Sequence, residues 1–273
     1  MRLAAKMKAR CQSVGFIPTM GALHEGHLSL IRQARQENDK VVVSIFVNPA
    51  QFGPREDFKK YPRTFRRDAQ LCQKEGVDIV FSPQSYDMYP KDFKTYVKVE
   101  DLSEVLCGKF RPGHFRGVTT VVAKLFNIVQ PKLAYFGQKD AQQAIIIKKM
   151  ASDLNMPISV KVMPTVREKD GLALSSRNVY LNPQERKDAL ALSQSLQLAR
   201  VLINSGVKDL RTIVACIKKH ILAKKNAKID YIAVVEPVNL RPLKKISNGC
   251  LIALAVRIGK TRLIDNIVIK QHG

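Results

Sequence analysis

A nearly unbroken β-branched run at Lys40–Val47 is the feature that most restricts the fold of this chain. A strand so uniformly apolar has no side facing solvent, which is typical of a parallel sheet covered on both faces. Shorter strand patterns occur at Ser13–Ile17, Val77–Phe81, Leu133–Phe136 and Ile158–Met163. Helical patterns lie between them, around Leu28–Ala34, Thr64–Glu75, Val118–Val129 and Lys139–Leu154. Strands that alternate with helices predict βαβ units and a doubly wound, Rossmann-like α/β fold.

The pattern changes after about Thr165. Two long helical patterns, Pro183–Ser205 and Asp209–Lys225, precede strand patterns at Ile229–Val235, Cys250–Val256 and Leu263–Ile269. We therefore predict a Rossmann-like domain over residues 1–165 and a smaller C-terminal α+β domain over residues 166–273.

The composition, with 45% hydrophobic and 25% charged residues, is that of a soluble globular protein. No apolar stretch approaches the ~20 residues needed to cross a bilayer, so no membrane partner is expected. The five cysteines are scattered and never form a Cys-x-x-Cys pair. This spacing argues against a disulfide framework and a zinc site and favours a reducing cytoplasm.

The formal net charge of +23 leaves two interpretations open. One is a nucleic-acid binder, and the other is a solvated basic surface that also favours anionic substrates. The lysines and arginines are spread along the chain, tryptophan is absent, and no aromatic-and-basic RNA-binding pattern occurs. We therefore do not expect nucleic acid to be the principal ligand.

The most informative stretch is Pro18–His27, between a predicted strand and a predicted helix. His24 and His27 flank Gly26 in the form His-x-Gly-His. Backbone N–H groups at a helix start face phosphate oxygens, and a glycine lets a nucleotide approach the backbone closely. Imidazole donors stabilise charge that develops on a phosphate under attack. The stretch predicts nucleoside triphosphate chemistry; the alternative is two unrelated surface histidines. The spacing is one residue too short for a His-Glu-x-x-His zinc site.

Thr19 with His24–His27 resembles the motif of the nucleotidylyl transferase superfamily, and Pro18–His27 resembles the pantothenate synthetase family in particular. Four further stretches resemble that family, in the same order and over most of the chain: Asn48–Gly53, Arg111–Val118, Tyr135–Asp140 and Leu172–Asn178.

The resemblance implies site residues. It implies ATP contacts in four segments, namely Met20, Gly21, Ala22, Leu23, His24, Glu25, Gly26 and His27, then Gly137, Gln138, Lys139 and Asp140, then Val166, and then Leu174, Ser175, Ser176 and Arg177. It also implies that Gln51 and Gln143 bind pantoate and β-alanine, and that His24, His27 and Lys139 are catalytic. No metal-binding protein residues are expected.

The residues alone leave simpler alternatives open at several of these positions. Gln51 on its own is typical of a surface glutamine. The junction Gly137–Asp140 offers a cation for phosphate and a carboxylate for ribose, but a solvated helix N-terminus is equally consistent with it. Ser175 and Ser176 supply hydroxyl groups for phosphate, although serine at such a position is also an ordinary helix cap. Gln143 is expected on the same helix face as Lys139, four residues later.

The activity implied by the resemblance is ATP-dependent condensation of pantoate with β-alanine through a pantoyl adenylate, with release of AMP and pyrophosphate. Mg²⁺ is expected on the ATP phosphates, held largely by substrate oxygens. A homodimer is implied, the domain over 1–165 would bind nucleotide and pantoate, and the domain over 166–273 would act as a lid. The basic segment Gly108–Gly117 is expected to close over the site. The rival interpretations are a relative that leaves the nucleotidyl group on its product, such as a phosphopantetheine adenylyltransferase, and an RNA-binding protein.

Overall fold

The structure is a computed structural model that describes residue 7 and residues 9–54, 56–246 and 249–270. Its described residues form two compact units. The N-terminal unit comprises the described residues of Met1–Glu104, Arg111–Gln138 and Gln143–Pro164. The C-terminal unit comprises those of Val105–Phe110, Lys139–Gln142 and Thr165–Gly273.

The helices and strands of the described residues follow one another in an α/β order and then an α+β order. They are β1 (Val14–Thr19), α1 (Glu25–Glu37), β2 (Lys40–Ile45), α2 (Phe65–Lys74), β3 (Ile79–Phe81), α3 (Ser85–Met88), α4 (Cys107–Phe110), α5 (His114–Val129), β4 (Leu133–Gly137), α6 (Ala141–Asp153), β5 (Ser159–Met163), α7 (Pro183–Asn204), α8 (Leu210–Leu222), β6 (Ala227–Val235), β7 (Cys250–Ile258) and β8 (Thr261–Ile269). Short 3-10 helices occupy Pro49–Gln51, Gln138–Asp140 and Ser176–Tyr180.

The N-terminal unit is built on a parallel sheet, which in the described residues has five strands in the order β3-β2-β1-β4-β5. Gly15 of the central β1 lies opposite Val41 on one side and Leu133 on the other. The strand order reverses direction at β1, which is the topological switch point of a doubly wound fold. Ligands of such sheets bind where the carboxyl ends of the two strands at the switch point diverge. The prediction of a doubly wound α/β fold is confirmed.

The Lys40–Val47 run forms β2, which ends at Ile45, two residues earlier than the pattern predicts. The residues from Val41 to Ile45 are all buried, as expected of a strand covered on both faces. Ile17, Ile31, Val43 and Tyr135 are fully buried and belong to one apolar cluster, so β1, β2, β4 and α1 share a core.

The C-terminal unit has an antiparallel sheet of three strands among the described residues, in the order β6-β7-β8, packed with α7 and α8. The buried side chains Ile213, Ile217 and Ile221 recur every four residues along α8, which is the helical spacing read from the sequence. At the start of α7, Asn182 and Glu185 form a capping box and Pro183 takes the first helical position. The predicted smaller α+β architecture is confirmed.

The sequence patterns missed several short elements, including α3, α4 and the 3-10 helices. The segment Gly108–Gly117, expected as a lid, consists largely of the end of α4 and the first turn of α5; its closure stays a prediction. None of the helices in the described part of the chain has the length and apolarity needed to cross a bilayer.

Candidate active site

The carboxyl end of β1 is held to β2 by a buried hydroxyl. Thr19 Oγ1 donates to the carbonyl oxygen of Ser44 at 2.7 Å and accepts from the Gly21 N–H at 3.1 Å. The same hydroxyl therefore closes the strand end and turns the chain into the loop that precedes α1. Thr19 is part of the sequence motif, and this is its structural function.

The loop over residues 20–24 has an unusual backbone. Gly21 and Ala22 both have positive φ angles, of 80° and 50°. The N–H groups of Ala22 and Leu23 donate to the two carboxylate oxygens of Asp68, each at 2.9 Å. Since these two N–H groups already have a carboxylate partner, any contact of Ala22 and Leu23 with ATP has to use other atoms. Their assignment as ATP ligands stays a prediction.

His24 and His27 lie side by side at the start of α1. His24 is the N-cap residue, His27 lies in the first turn, and their ring centroids are 4.1 Å apart. The His24 N–H donates to His27 Nδ1 at 3.4 Å. Because Nδ1 accepts a hydrogen bond, the neutral His27 ring carries its proton on Nε2 and presents that atom as a donor. Both histidines are half-buried. Donors fixed in a partly desolvated position can stabilise charge that develops on a bound group.

Glu25 and Gly26 form the first turn of α1 between the two histidines. The Glu25 carboxylate pairs with Arg32 and is half exposed. An acidic residue in this turn is favoured by the positive end of the helix dipole. The histidine element therefore lies beside a stabilised helix start at the carboxyl end of β1, on one side of the switch point.

Gln51 is not the surface residue that its local sequence suggests. It ends the 3-10 helix Pro49–Gln51 and is half-buried. Its Nε2 lies 3.0 Å from Sδ of Met20, and its Oε1 accepts from Asn48 Nδ2 at 3.0 Å. The structure thus brings Gln51 to the loop that carries the histidines. Asn48 also donates to the Gly117 carbonyl oxygen at 3.1 Å and accepts from Tyr89 Oη at 2.8 Å.

The main chain of Gln51 is held from the other side by the first turn of α5 and the residues before it. His114 Nδ1 donates to the Gln51 carbonyl oxygen at 2.8 Å, and Arg111 donates to the same oxygen at 3.3 Å. Arg111 also forms two 2.6 Å hydrogen bonds with the carboxylate of Glu56. Burial alone would raise the pKa of Glu56, but the hydrogen bonds and charge of Arg111 outweigh it and lower that pKa to about 2.

The carboxyl end of β4 forms the other side of the switch point. Gly137 ends the strand, and a Cβ at this position would have no atom within 4 Å. Gln138, Lys139 and Asp140 form a 3-10 helix ahead of α6. The expectation that Lys139 and Gln143 share one helix is wrong, because α6 begins only at Ala141. Gln143 is half-buried in the first turn of α6.

Within the C-terminal unit, Lys139 is anchored through its main chain rather than its side chain. Its carbonyl oxygen accepts from Nδ2 of Asn266 on β8 at 2.9 Å. Its Nζ lies 3.9 Å from a carboxylate oxygen of Asp140. This fixes the backbone while the ammonium group stays available to an anion.

Val166 and Leu174 pair across a short hairpin of the C-terminal unit, in which the Leu174 N–H donates to the Val166 carbonyl oxygen at 3.0 Å. Arg167 in this hairpin forms two hydrogen bonds, of 2.7 and 2.9 Å, with the buried carboxylate of Asp265 on β8. The hairpin leads directly into Ser175, and β8 supports it through Arg167.

Ser175 caps the 3-10 helix Ser176–Tyr180, and its hydroxyl accepts from the Arg177 N–H at 3.2 Å. The simpler interpretation of Ser175 as a helix cap is therefore correct. A phosphate contact of this hydroxyl, and of Ser176 and Arg177, stays a prediction. No group of three or more histidine, cysteine, aspartate or glutamate residues in the described ranges could hold a metal ion.

From the sequence, no role was assigned to the residues that hold this geometry, above all Asp68, Asn48 and Arg111. One signal was readable for Asp68: it lies four residues before the buried Cys72, so it occupies a core-facing position of α2. A carboxylate on the buried side of a helix requires partners, and its position marks a polar contact with another element.

Known proteins resemble this chain over nearly its whole length. Residues 1–268 match the family model described as pantoate-beta-alanine ligase. A pantothenate synthetase of Moorella thermoacetica is 57% identical, and the match covers 98% of this chain and 95% of that protein. A pantothenate synthetase of Heliobacterium modesticaldum is 58% identical, and the match covers 95% of this chain and 92% of that protein. The crystal structure of pantothenate synthetase from Thermus thermophilus superposes with a TM-score of 0.92 at 47% identity, covering 97% of this chain and 96% of its own. A pantoate-beta-alanine ligase from Francisella tularensis, complexed with beta-gamma ATP and beta-alanine, gives a TM-score of 0.79 at 37% identity. This match covers 98% of the present chain and 94% of the other. The chain therefore belongs to the pantoate–β-alanine ligase family.

Proposed function

We propose that this protein joins pantoate to β-alanine at the expense of ATP, forming pantothenate, AMP and pyrophosphate through a pantoyl adenylate. The observation that carries the proposal is the pair His24 and His27 at the switch point of the sheet, in a chain whose relatives are named pantothenate synthetase. The ATP and β-alanine of the Francisella tularensis complex are two of the three substrates.

In the first step a pantoate carboxylate oxygen attacks the α-phosphorus of ATP, and the bond from that phosphorus to the bridging oxygen of pyrophosphate breaks. Negative charge grows on the α-phosphate oxygens as the new bond forms. The Nε2–H of His27, oriented by the hydrogen bond at Nδ1, donates to this charge. His24, 4.1 Å away between ring centroids, acts on the same phosphate.

In the second step the amine of β-alanine attacks the acyl carbon of the adenylate. The amide bond forms, the bond from the acyl carbon to the phosphate oxygen breaks, the amine loses a proton, and AMP leaves. A free carboxylate would have to expel oxide, so adenylation supplies the leaving group. No covalent bond to the protein is needed, and rate acceleration comes from positioning and charge stabilisation.

Gln51 is assigned to pantoate and β-alanine because its amide is oriented by Asn48 and its main chain is held by Arg111 and His114. Gln143 is assigned as the second amide for these substrates. Nucleotide contacts are assigned to the remaining predicted segments: Met20–His27, Gly137–Asp140, Val166 and Leu174–Arg177. In the C-terminal unit, Lys139 and Arg177 supply cationic groups suited to phosphate.

Mg²⁺ suits the chemistry of this reaction because it neutralises phosphate charge. The described residues offer no cluster of three carboxylates or imidazoles, so substrate oxygens and water would hold the ion largely by themselves. We further propose that the protein is a homodimer, which rests on the family resemblance. We also propose that it works in the cytoplasm, because its cysteines are scattered and unpaired.

Product analysis with ATP, pantoate and β-alanine tests the proposal, comparing the wild-type protein with His27→Ala. We expect AMP and pantothenate from the wild type and a loss of about 10²–10³-fold in the variant. His220→Ala is the matched control, since this histidine lies on α8 and contacts Gln194. Pyrophosphate–ATP exchange without pantoate would contradict the proposal and favour a nucleotidyl transferase. ADP as product would contradict it by showing that the γ-phosphate, and not the adenylyl group, is transferred.

A further inference from the structure

The loop before α1 has a conformation that an isolated chain would not hold. Gly21 and Ala22 take consecutive left-handed φ angles of 80° and 50°, and Ala22 does so without the freedom of a glycine. In this turn the successive N–H groups of Ala22 and Leu23 point to the same side, where together they form a concave anion site. In this protein the anion is internal, because the carboxylate of Asp68 fills the concavity.

Asp68 is fully buried, and both of its oxygens are used. One oxygen accepts from the Leu23 N–H at 2.9 Å, and the other accepts from the Ala22 N–H at 2.9 Å and from Thr64 Oγ1 at 3.1 Å. A buried carboxylate with this set of donors forms strong, directional hydrogen bonds. Burial and the charge of this carboxylate also raise the pKa of the neighbouring Cys72 to about 11.

A second residue of the same α2 turn also forms a hydrogen bond with the loop. Arg67 donates to the Leu23 carbonyl oxygen at 3.2 Å, so the N–H and the C=O of Leu23 are both held by consecutive residues of α2. The next residue is His24, whose own N–H orients the His27 ring through Nδ1. Asp68 is therefore linked to His27 by its hydrogen bond to Leu23, by the peptide bond from Leu23 to His24, and by the hydrogen bond from His24 to His27.

We propose that Asp68 is a positioning residue for the reaction at the α-phosphate: it holds the loop so that His24 and His27 meet the developing charge. This proposal rests on the proposed function. Asp68 would not touch a substrate, since the loop main chain occupies both of its oxygens. Its effect should appear in the adenylation step and not in aminolysis of a finished adenylate.

The test is Asp68→Asn, which keeps the shape but places an amide NH₂ against a main-chain N–H. We expect pantoate-dependent pyrophosphate–ATP exchange to fall about 100-fold, as for a displaced catalytic group. Aminolysis of synthetic pantoyl adenylate by β-alanine should change by less than about threefold, since the histidines act on the earlier step. In a His27→Ala background the substitution should add little further loss, because residues that act as a unit are not additive.

Asp78→Asn is the matched control. Asp78 also accepts a main-chain N–H, from Val41 at 2.8 Å, but at the amino end of β2. An equal loss of exchange in Asp78→Asn, wild-type exchange in Asp68→Asn, or full additivity with His27→Ala would overturn the proposal. If Asp68→Asn does not fold, Thr64→Val is the substitute variant, because it removes a single hydrogen-bond donor to the Asp68 carboxylate. An exchange rate in Thr64→Val equal to that of the wild type would then overturn the proposal. A wild-type protein that makes no pantothenate would refute the proposed function, which is a separate outcome.

Discussion

Replacing Gly117 with alanine would test how closely α5 packs against the turn that carries Gln51. A Cβ on Gly117 would lie 2.1 Å from the carbonyl oxygen of Ala50 and 2.7 Å from Cα of Gln51. Both are backbone atoms, which cannot swing away as the end of a flexible side chain can. Reaching an ordinary contact requires the helix and the turn to separate by about 1 Å.

The separation has an energetic and a functional consequence. Overpacking of this kind costs roughly 1–3 kcal/mol of folding free energy. Because the atoms that the new Cβ meets belong to the backbone, we expect the cost of Gly117→Ala near the upper end of that range. A loss of about 3 kcal/mol lowers the melting temperature of a domain of this size by roughly 6–12 °C. The same movement breaks the 3.1 Å hydrogen bond from Asn48 to the Gly117 carbonyl oxygen and displaces the Gln51 amide. The KM for pantoate should therefore rise about tenfold or more.

Thermal unfolding followed by circular dichroism and steady-state kinetics with varied pantoate measure the two effects. Gly53→Ala is the control, because a Cβ there meets its nearest atom, Cγ of Glu56, at an ordinary 3.6 Å. A Gly117→Ala variant that melts like the wild type would refute the close packing. A destabilised variant with an unchanged KM for pantoate would refute the link from this packing to Gln51.

Two further predictions follow from the site. Glu56→Gln should destabilise the protein by roughly 1–3 kcal/mol at pH 7, and urea unfolding of both proteins at several pH values checks it. The folded-state pKa of Glu56 is about 2, against an ordinary value of 4.5. The stability that the ionised Glu56 contributes is therefore fully present above pH 4.5 and is lost as the pH falls towards 2. A difference in unfolding free energy between the two proteins that stays constant from about pH 7 to about pH 3 would contradict this. Gly137→Ala should leave the melting temperature unchanged, since an added Cβ meets no atom within 4 Å. Its KM for ATP should nevertheless rise about tenfold if the nucleotide lies against this backbone, and an unchanged KM would argue against that placement.

Local sequence patterns predicted most of the fold. The start of α7 at Pro183 was readable because helix caps act over only a few positions along the chain. The helix expected to begin at Lys139 was wrong by two residues, because a 3-10 turn at Gln138–Asp140 precedes α6. Such a turn differs from an α-helix in its i→i+3 hydrogen bonds and is frequent at α-helix ends, where the periodicity of apolar residues does not distinguish the two.

The sequence predicted some features of the candidate site and left others open. The histidine pair was identified from its spacing, and the structure places the two rings side by side. The environment of Gln51 was not predicted, because Arg111 and His114 reach its main chain from a distant part of the sequence. Ser175 illustrates the opposite case, since the local interpretation as a helix cap was sufficient for its hydroxyl.

The sequence by itself determined the order of strands and helices, the doubly wound class and the position of the His-x-Gly-His element after β1. These features depend on residue periodicity and turn chemistry, which act between neighbours along the chain. Only the tertiary structure decided that Asp68, 45 residues beyond Leu23, holds the loop beneath the histidines. That contact exists because α2, which follows β2 in the chain, packs against α1 and so brings Asp68 to the loop after β1. No local pattern specifies which buried donors a carboxylate will meet there.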